Sequence, residues 1–157
     1  MTDIQKAENA RAVYQTIRNA LDHRNWHYTP HDDDMVVTYK VSGDDLPMEF
    51  LISVDERRQM ARMLSFFPFD VPEDKRIEGA IMTCAATNKL AVGSFDFSTA
   101  KGRIAFRLNA PFLNCTLGED LFSLMIDIAV ETVDQYNDKF FAVSKGLIGI
   151  EDYLNQL

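Results

Sequence analysis

Residues 35–69 read MVVTYKVSGDDLPMEFLISVDERRQMARMLSFFPF, a pattern that predicts three strands joined by two short turns. Met35, Val37, Tyr39 and Val41 alternate with Val36, Thr38 and Lys40, the two-residue period of a strand buried on one side. Ser42-Gly43-Asp44-Asp45 is a turn by composition. Met48, Phe50, Ile52 and Val54 then share a face, with Glu49, Leu51 and Ser53 on the other. Asp55-Glu56-Arg57-Arg58 makes the second turn, and Gln59 to Phe67 reads as the third strand. Connections this short leave no room for crossover helices, so the neighbours run antiparallel and the fold class is α+β rather than α/β.

Upstream, Trp26-His27-Tyr28 reads as a short first strand ending at Thr29-Pro30, and Asp32-Asp33-Asp34 turns the chain into the meander. Further back, Ile4, Ala7, Ala10, Val13, Tyr14, Ile17 and Leu21 fall at helical spacing, with Thr2 or Asp3 placed to cap the helix. Downstream, Pro72-Glu73-Asp74 marks a second helix start, because proline suits the first turn and acids favour the positive end of the dipole. Its expected buried stripe is Ile77, Ala80, Ile81, Cys84, Ala85 and Asn88. Leu90 to Phe97 and Gly102 to Leu108 read as a hairpin. Phe95, Phe97, Ile104, Phe106 and Leu108 lie on one side of it, and Asp96, Arg103, Ala105 and Arg107 on the other. Thr116 is placed to cap a long helix beginning at Leu117.

The expectation is one domain over 1–157: a helix at 3–24, a strand meander at 26–67, a helix at 72–90, a hairpin at 91–108, a long helix at 117–143 and a tail at 147–157 with room for a short helix. The order is α-β-β-β-β-α-β-β-α, about six antiparallel strands with helices on one face.

The long helix carries Leu121, Leu124, Met125, Ile128, Ala129 and Val133 on one side, and Phe122, Ile126 and Val130 on the adjoining one. A helix lying on a sheet needs an apolar stripe of about 100°, and this arc is about twice as wide. A second surface must therefore be buried, against the C-terminal residues or a second copy, which makes Phe122, Ile126 and Val130 candidate homodimer contacts. Phe66, Phe67 and Phe69, packed around Pro68, form an apolar edge suited to a partner's segment. Arg62, Asp96, Arg103 and Arg107 are candidates on the open face of the sheet.

Sixteen Lys and Arg against 24 Asp and Glu give a formal charge of -8. With Arg57-Arg58 as its densest basic spot, the chain lacks the footprint that neutralises phosphates or anionic lipid, so neither nucleic acid nor membrane is an expected partner. A neutral, apolar or basic protein is. The opening MTDIQKAENARAV has no basic-then-apolar leader pattern, which predicts a cytoplasmic location. Cys84 and Cys115 form no C-x-x-C pair and read as reduced structural thiols, Cys84 as a buried one.

Catalytic signatures are missing: no G-x-S-x-G, P-loop, G-x-G-x-x-G or H-E-x-x-H occurs, and no cofactor is implied. His23, His27 and His31, spaced by four, are weak metal candidates, because Pro30 breaks the continuity that would align them. Asp32-Asp33-Asp34 lacks the D-x-D-x-D-G pattern of a calcium loop.

Met60 to about Val133 resembles the YbjN-type family, described as bacterial sensory transduction regulators. The resemblance rests on the strand RMLSFFPF, the helix VPEDKRIEGAIMTCAATNKL, the hairpin VGSFDFSTAKGRIAFRL and the long helix LFSLMIDIAVETVDQYNDKF, in that order. It implies the type III secretion chaperone-like fold and a non-enzymatic protein-binding module, chaperone-like or regulatory and often dimeric, with no catalytic residues to carry over. The alternative is a small-molecule or metal-binding sensor using the arginines or the histidines.

Overall fold

Helix α1 (Asp3–His23) begins at a reciprocal capping box. The Thr2 hydroxyl accepts from the Gln5 amide at 3.2 Å, and the Gln5 side chain accepts from the Thr2 amide at 2.8 Å. The computed structural model describes residues 1–157. Six strands follow α1 in one antiparallel sheet: β1 (Tyr28–His31), β2 (Val36–Ser42), β3 (Pro47–Asp55), β4 (Met60–Asp70), β5 (Ser94–Phe97) and β6 (Arg103–Pro111). Their order across the sheet is β1-β2-β3-β4-β6-β5. A single 3₁₀ turn (Glu73–Lys75) leads into α2 (Arg76–Thr87), and α3 (Glu119–Ser144) and α4 (Ile150–Asn155) complete the chain.

The expected α+β architecture and meander are present, with local corrections. β1 contains Pro30 instead of stopping before it. At a sheet edge the missing amide costs no ladder bond. β4 continues past Phe67 to Asp70, across an irregularity between Phe66 and Asp70 that restores pairing at Asp70–Arg103. The hairpin's first strand starts at Ser94, not Leu90. The long helix starts at Glu119 with Gly118 at its N-cap and no side-chain cap, so Thr116 does not cap it.

α3 lies between α1 and α2 in the helix layer, touching both as well as β3, β4 and β6. That position explains its wide apolar arc: a central helix must cover the sheet and meet a neighbour on each flank. Phe122 and Ile126 are both 0% exposed within this one chain, so the homodimer contacts expected there are core residues instead. Val130 and Ile128 are half-buried against the core, and Leu121 and Leu124 are the exposed apolar residues of this helix.

α2 is turned the other way from expectation. Gly79, Met82, Thr83 and Ala86 face the interior, while Ile77 is 78% exposed, Ile81 42%, and Cys84 is exposed too. Both stripes have helical spacing, and closeness of approach decides between them. A Cβ on Gly79 would stand 2.7 Å from the Phe97 ring, so only the small-residue face lets the helix settle this near the sheet.

Where helices and sheet meet, Phe140 is ringed by Phe95, Phe67, Tyr136 and Tyr153 at centroid distances of 4.9, 5.6, 5.6 and 6.2 Å. The Tyr153 hydroxyl donates to the Met82 carbonyl at 3.2 Å, tying α4 to α2.

Buried phenols give the fold an alkaline limit. Burial first, then the hydrogen bond to Asp32, pushes Tyr14 up to about 12. Burial also raises Tyr39, Tyr136 and Tyr153. A raised phenol holds its proton in the folded chain after the unfolded chain has lost it, so its contribution is complete below about pH 10 and falls as pH climbs towards the raised value. The urea midpoint is expected to stay level up to about pH 9.5 and decline above about pH 10. The phenolate absorbance of these four tyrosines should then rise together with loss of circular dichroism; more than one of the chain's five phenols ionising first would contradict the burial.

Candidate functional site

Alternation along β3, β4 and β6 sends one set of side chains to the helices and the other to a face that no helix covers. On that face Leu51 stands opposite Leu64, Leu64 opposite Arg107, and Phe66 opposite Ala105. The result is an apolar strip, Leu51-Leu64-Phe66-Ala105, running across three strands. Leu64 and Phe66 line both of the shallow depressions on this face. Phe66 is 49% exposed, unusual for a phenylalanine in a central strand.

Charges frame the strip. Arg107 donates twice to Asp96, from Nε at 2.6 Å and from Nη2 at 3.0 Å, a fork that raises the guanidinium's pKa further. Arg103 is loosely placed, 3.9 Å from Asp70. Lys40 and Glu49 pair at 2.8 Å on the opposite flank, where both are exposed and the pair adds little stability. Arg62 enters no ion pair within 4 Å, and its Nε is closed off from water without an acceptor. Asn109, opposite Arg62 across the β4–β6 ladder, likewise leaves its buried Oδ1 without a donor.

All four polar candidates, Arg62, Asp96, Arg103 and Arg107, line one depression together with Leu64, Phe66 and Ala105. The aromatic run divides. Phe67 turns inward onto Phe95 and Phe140, and Phe69 is half-buried with its ring edge-on to Phe141 at 5.4 Å. Only Phe66 of the three belongs to the open face. Leu51, Leu64 and Ala105 were missing from the sequence-based site. Their signal was an apolar residue recurring at positions the alternation assigns to solvent.

The histidines do not converge. His23 Nδ1 lies 2.5 Å from a Glu119 carboxylate oxygen, joining the end of α1 to the start of α3. His27 is exposed, and His31 approaches the Thr38 hydroxyl at 3.5 Å. No group of three or more His, Cys, Asp or Glu is placed to hold a metal ion. Cys115 is exposed, and so is Cys84, against the expected buried thiol. No helix is long and apolar enough to cross a membrane.

Chemically, the open face offers a ridge of apolar contact, an unpaired cation and a pre-formed Arg–Asp fork.

A profile of the YbjN family, described as "Putative bacterial sensory transduction regulator", matches residues 14–142. The crystal structure of YbjN from E. coli, described as "a putative transcription regulator", aligns over 85% of this chain and 92% of its own, with a TM-score of 0.60 at 9% identity. A chain of the HopA1-SchA chaperone-effector complex aligns over 96% of its length and 82% of this one, with a TM-score of 0.52 at 11% identity. No curated protein matches by sequence. At such identities the likeness to these structures is one of fold, and it is the fold the sequence predicts.

Proposed function

This chain belongs to the YbjN family, and on that premise we propose that it is a non-enzymatic, chaperone-like protein-binding module whose binding surface is the uncovered face of the sheet. The observation that carries the reading is the exposed strip around Leu64 and Phe66, apolar side chains set in mid-sheet with nothing folded over them. That a protein of similar fold was solved as a chaperone-effector complex supports a protein as the occupant.

Homodimerisation is the second element, placed on the outer stripe of α2 instead of α3. In a two-fold interface the same patch meets itself, so a patch bearing charges of one sign faces charges of that same sign. A chain of formal charge -8 therefore self-associates best through an uncharged patch. Ile77, Ala80, Ile81, Cys84 and Ala85 carry no charge, whereas the exposed Leu121 and Leu124 on α3 are interleaved with Asp120 and Asp127.

Two measurements test the two elements. On an array of unstructured peptides, the wild type is expected to bind a subset and Phe66→Asp to bind none while remaining folded, with its thermal midpoint lowered by only a few degrees because half of the side chain is already in water. In sedimentation, Ile81→Glu is expected to give monomers from a dimeric wild type while keeping the peptide pattern. An array that ignores Phe66→Asp would overturn the binding face, and a monomeric wild type at micromolar concentration would overturn the dimer.

A further inference from the structure

Building on that reading of the open face, we propose that the segment it holds is acidic: an extended stretch of a partner protein that lays apolar side chains on Leu64 and Phe66 and gives a carboxylate to Arg62. Bulk charge points the other way, towards a neutral, apolar or basic partner, but the negative charge is concentrated elsewhere. α3 alone carries six acidic residues against one lysine, and α4 adds Glu151 and Asp152. The depression around Phe66 is lined instead by three arginines and one aspartate. Even with Asp70 counted beside Arg103, the balance there is positive.

The state of each arginine narrows the prediction. Arg107 is saturated by Asp96 and acts as fixed framing, and Arg103 is shared at long range with Asp70. Arg62 has no carboxylate; its Nε is closed off, but its terminal guanidinium nitrogens make no hydrogen bond and are not closed off, so they are the donors a partner can reach. A half-buried cation in that state leaves free energy unclaimed, which an incoming carboxylate would recover. It sits two residues from Leu64 on the same strand face, so one segment reaches both. The strip crosses two inter-strand spacings, about 10 Å, or about three residues of extended chain. At physiological salt the screening length is about 8 Å. The acids of the helix layer therefore weigh little at contact, and the arginines dominate.

The test uses the full-length chain and a labelled peptide with phenylalanine and leucines at alternate positions and glutamates between them, beside its Glu→Gln and Glu→Lys counterparts. By fluorescence polarisation the glutamate peptide is expected to bind about tenfold tighter than the glutamine one, the lysine peptide weakest. Arg62→Gln should abolish the preference and Arg62→Glu should reverse it. Phe66→Asp should lose all three. Equal binding of the glutamate and glutamine peptides would overturn the acidic partner while leaving the protein-binding reading intact. Binding of none, or binding unaffected by Phe66→Asp, would overturn both. Dissociation of a dimer by Arg62→Glu in sedimentation would assign the face to a second copy and overturn the proposal.

Discussion

Replacing Phe140 by alanine is expected to destabilise the chain by about 3–5 kcal/mol, the upper range for removing a buried aromatic. Phe140 is 0% exposed, and its ring touches residues from β4, β5, α3 and α4. Truncation therefore removes the contact that joins the sheet to the helix layer and to the C-terminal helix. Four surrounding rings, each held by its own backbone element, cannot collapse into the space, so the cavity cost adds to the lost transfer energy. For a chain of this size the thermal midpoint should fall by about 6–20 °C, read by calorimetry. Phe140→Leu, which keeps most of the volume, should lose about half as much. Phe66→Ala, on the open face with half of its ring already in water, should cost only about 1 kcal/mol. Equal losses for Phe140→Ala and Phe66→Ala would mean that the two faces of β4 had been misassigned.

Phe66 and Phe67 also show where legibility in the sequence ends. Alternation says that neighbours on a strand point to opposite faces, so one of the two had to face outward. It names which one only when the register is carried through from Met63 without a break. The register shifts after Phe66, yet Phe69, of the same parity as Phe67, still reaches the helix side, against Phe67 and Phe141. The charged members of the site were easier to read. Asp96 and Arg107 are polar residues alternating with Phe95, Phe97, Phe106 and Leu108 in a short hairpin, where turn length fixes both register and facing.

Helices gave less, for a reason that differs between α2 and α3. On α3 the wide apolar arc was legible and did require a second buried surface. Its occupants, α1 and α2, are adjacent in space but not in sequence, and periodicity holds no information about them. On α2 the two stripes compete, isoleucines on one side and small residues on the other, and a hydrophobicity argument selects the isoleucines. Packing density selects Gly79 and Ala86, because interior contacts reward closeness as much as apolar area. The exposed isoleucines are thus surplus to the chain's own core, which makes them informative about partners.

Gly102→Ala is expected to cost about 3 kcal/mol or more, and to do so without altering any buried hydrophobic side chain. Gly102 sits at φ +73°, where a Cβ would lie 2.1 Å from the Val71 carbonyl oxygen. Its own carbonyl accepts from the Val71 amide at 2.8 Å, and its amide donates to the Ser98 carbonyl at 2.7 Å. The residue therefore clasps the β5–β6 turn to the segment leaving β4, and neither backbone can retreat without losing those bonds. Left-handed strain alone costs an alanine about 1 kcal/mol, and Gly146 isolates that component. Gly146 has φ +69°, with nothing nearer to its Cβ position than a lysine methylene at 3.9 Å. Gly146→Ala should thus cost about 1 kcal/mol, the remainder at Gly102 being the backbone collision. Because Arg103 follows directly, the loosened corner should also weaken peptide binding on the open face before global unfolding. Urea denaturation of both variants decides the matter: if Gly102→Ala costs no more than Gly146→Ala, the clasp with Val71 does not exist as described.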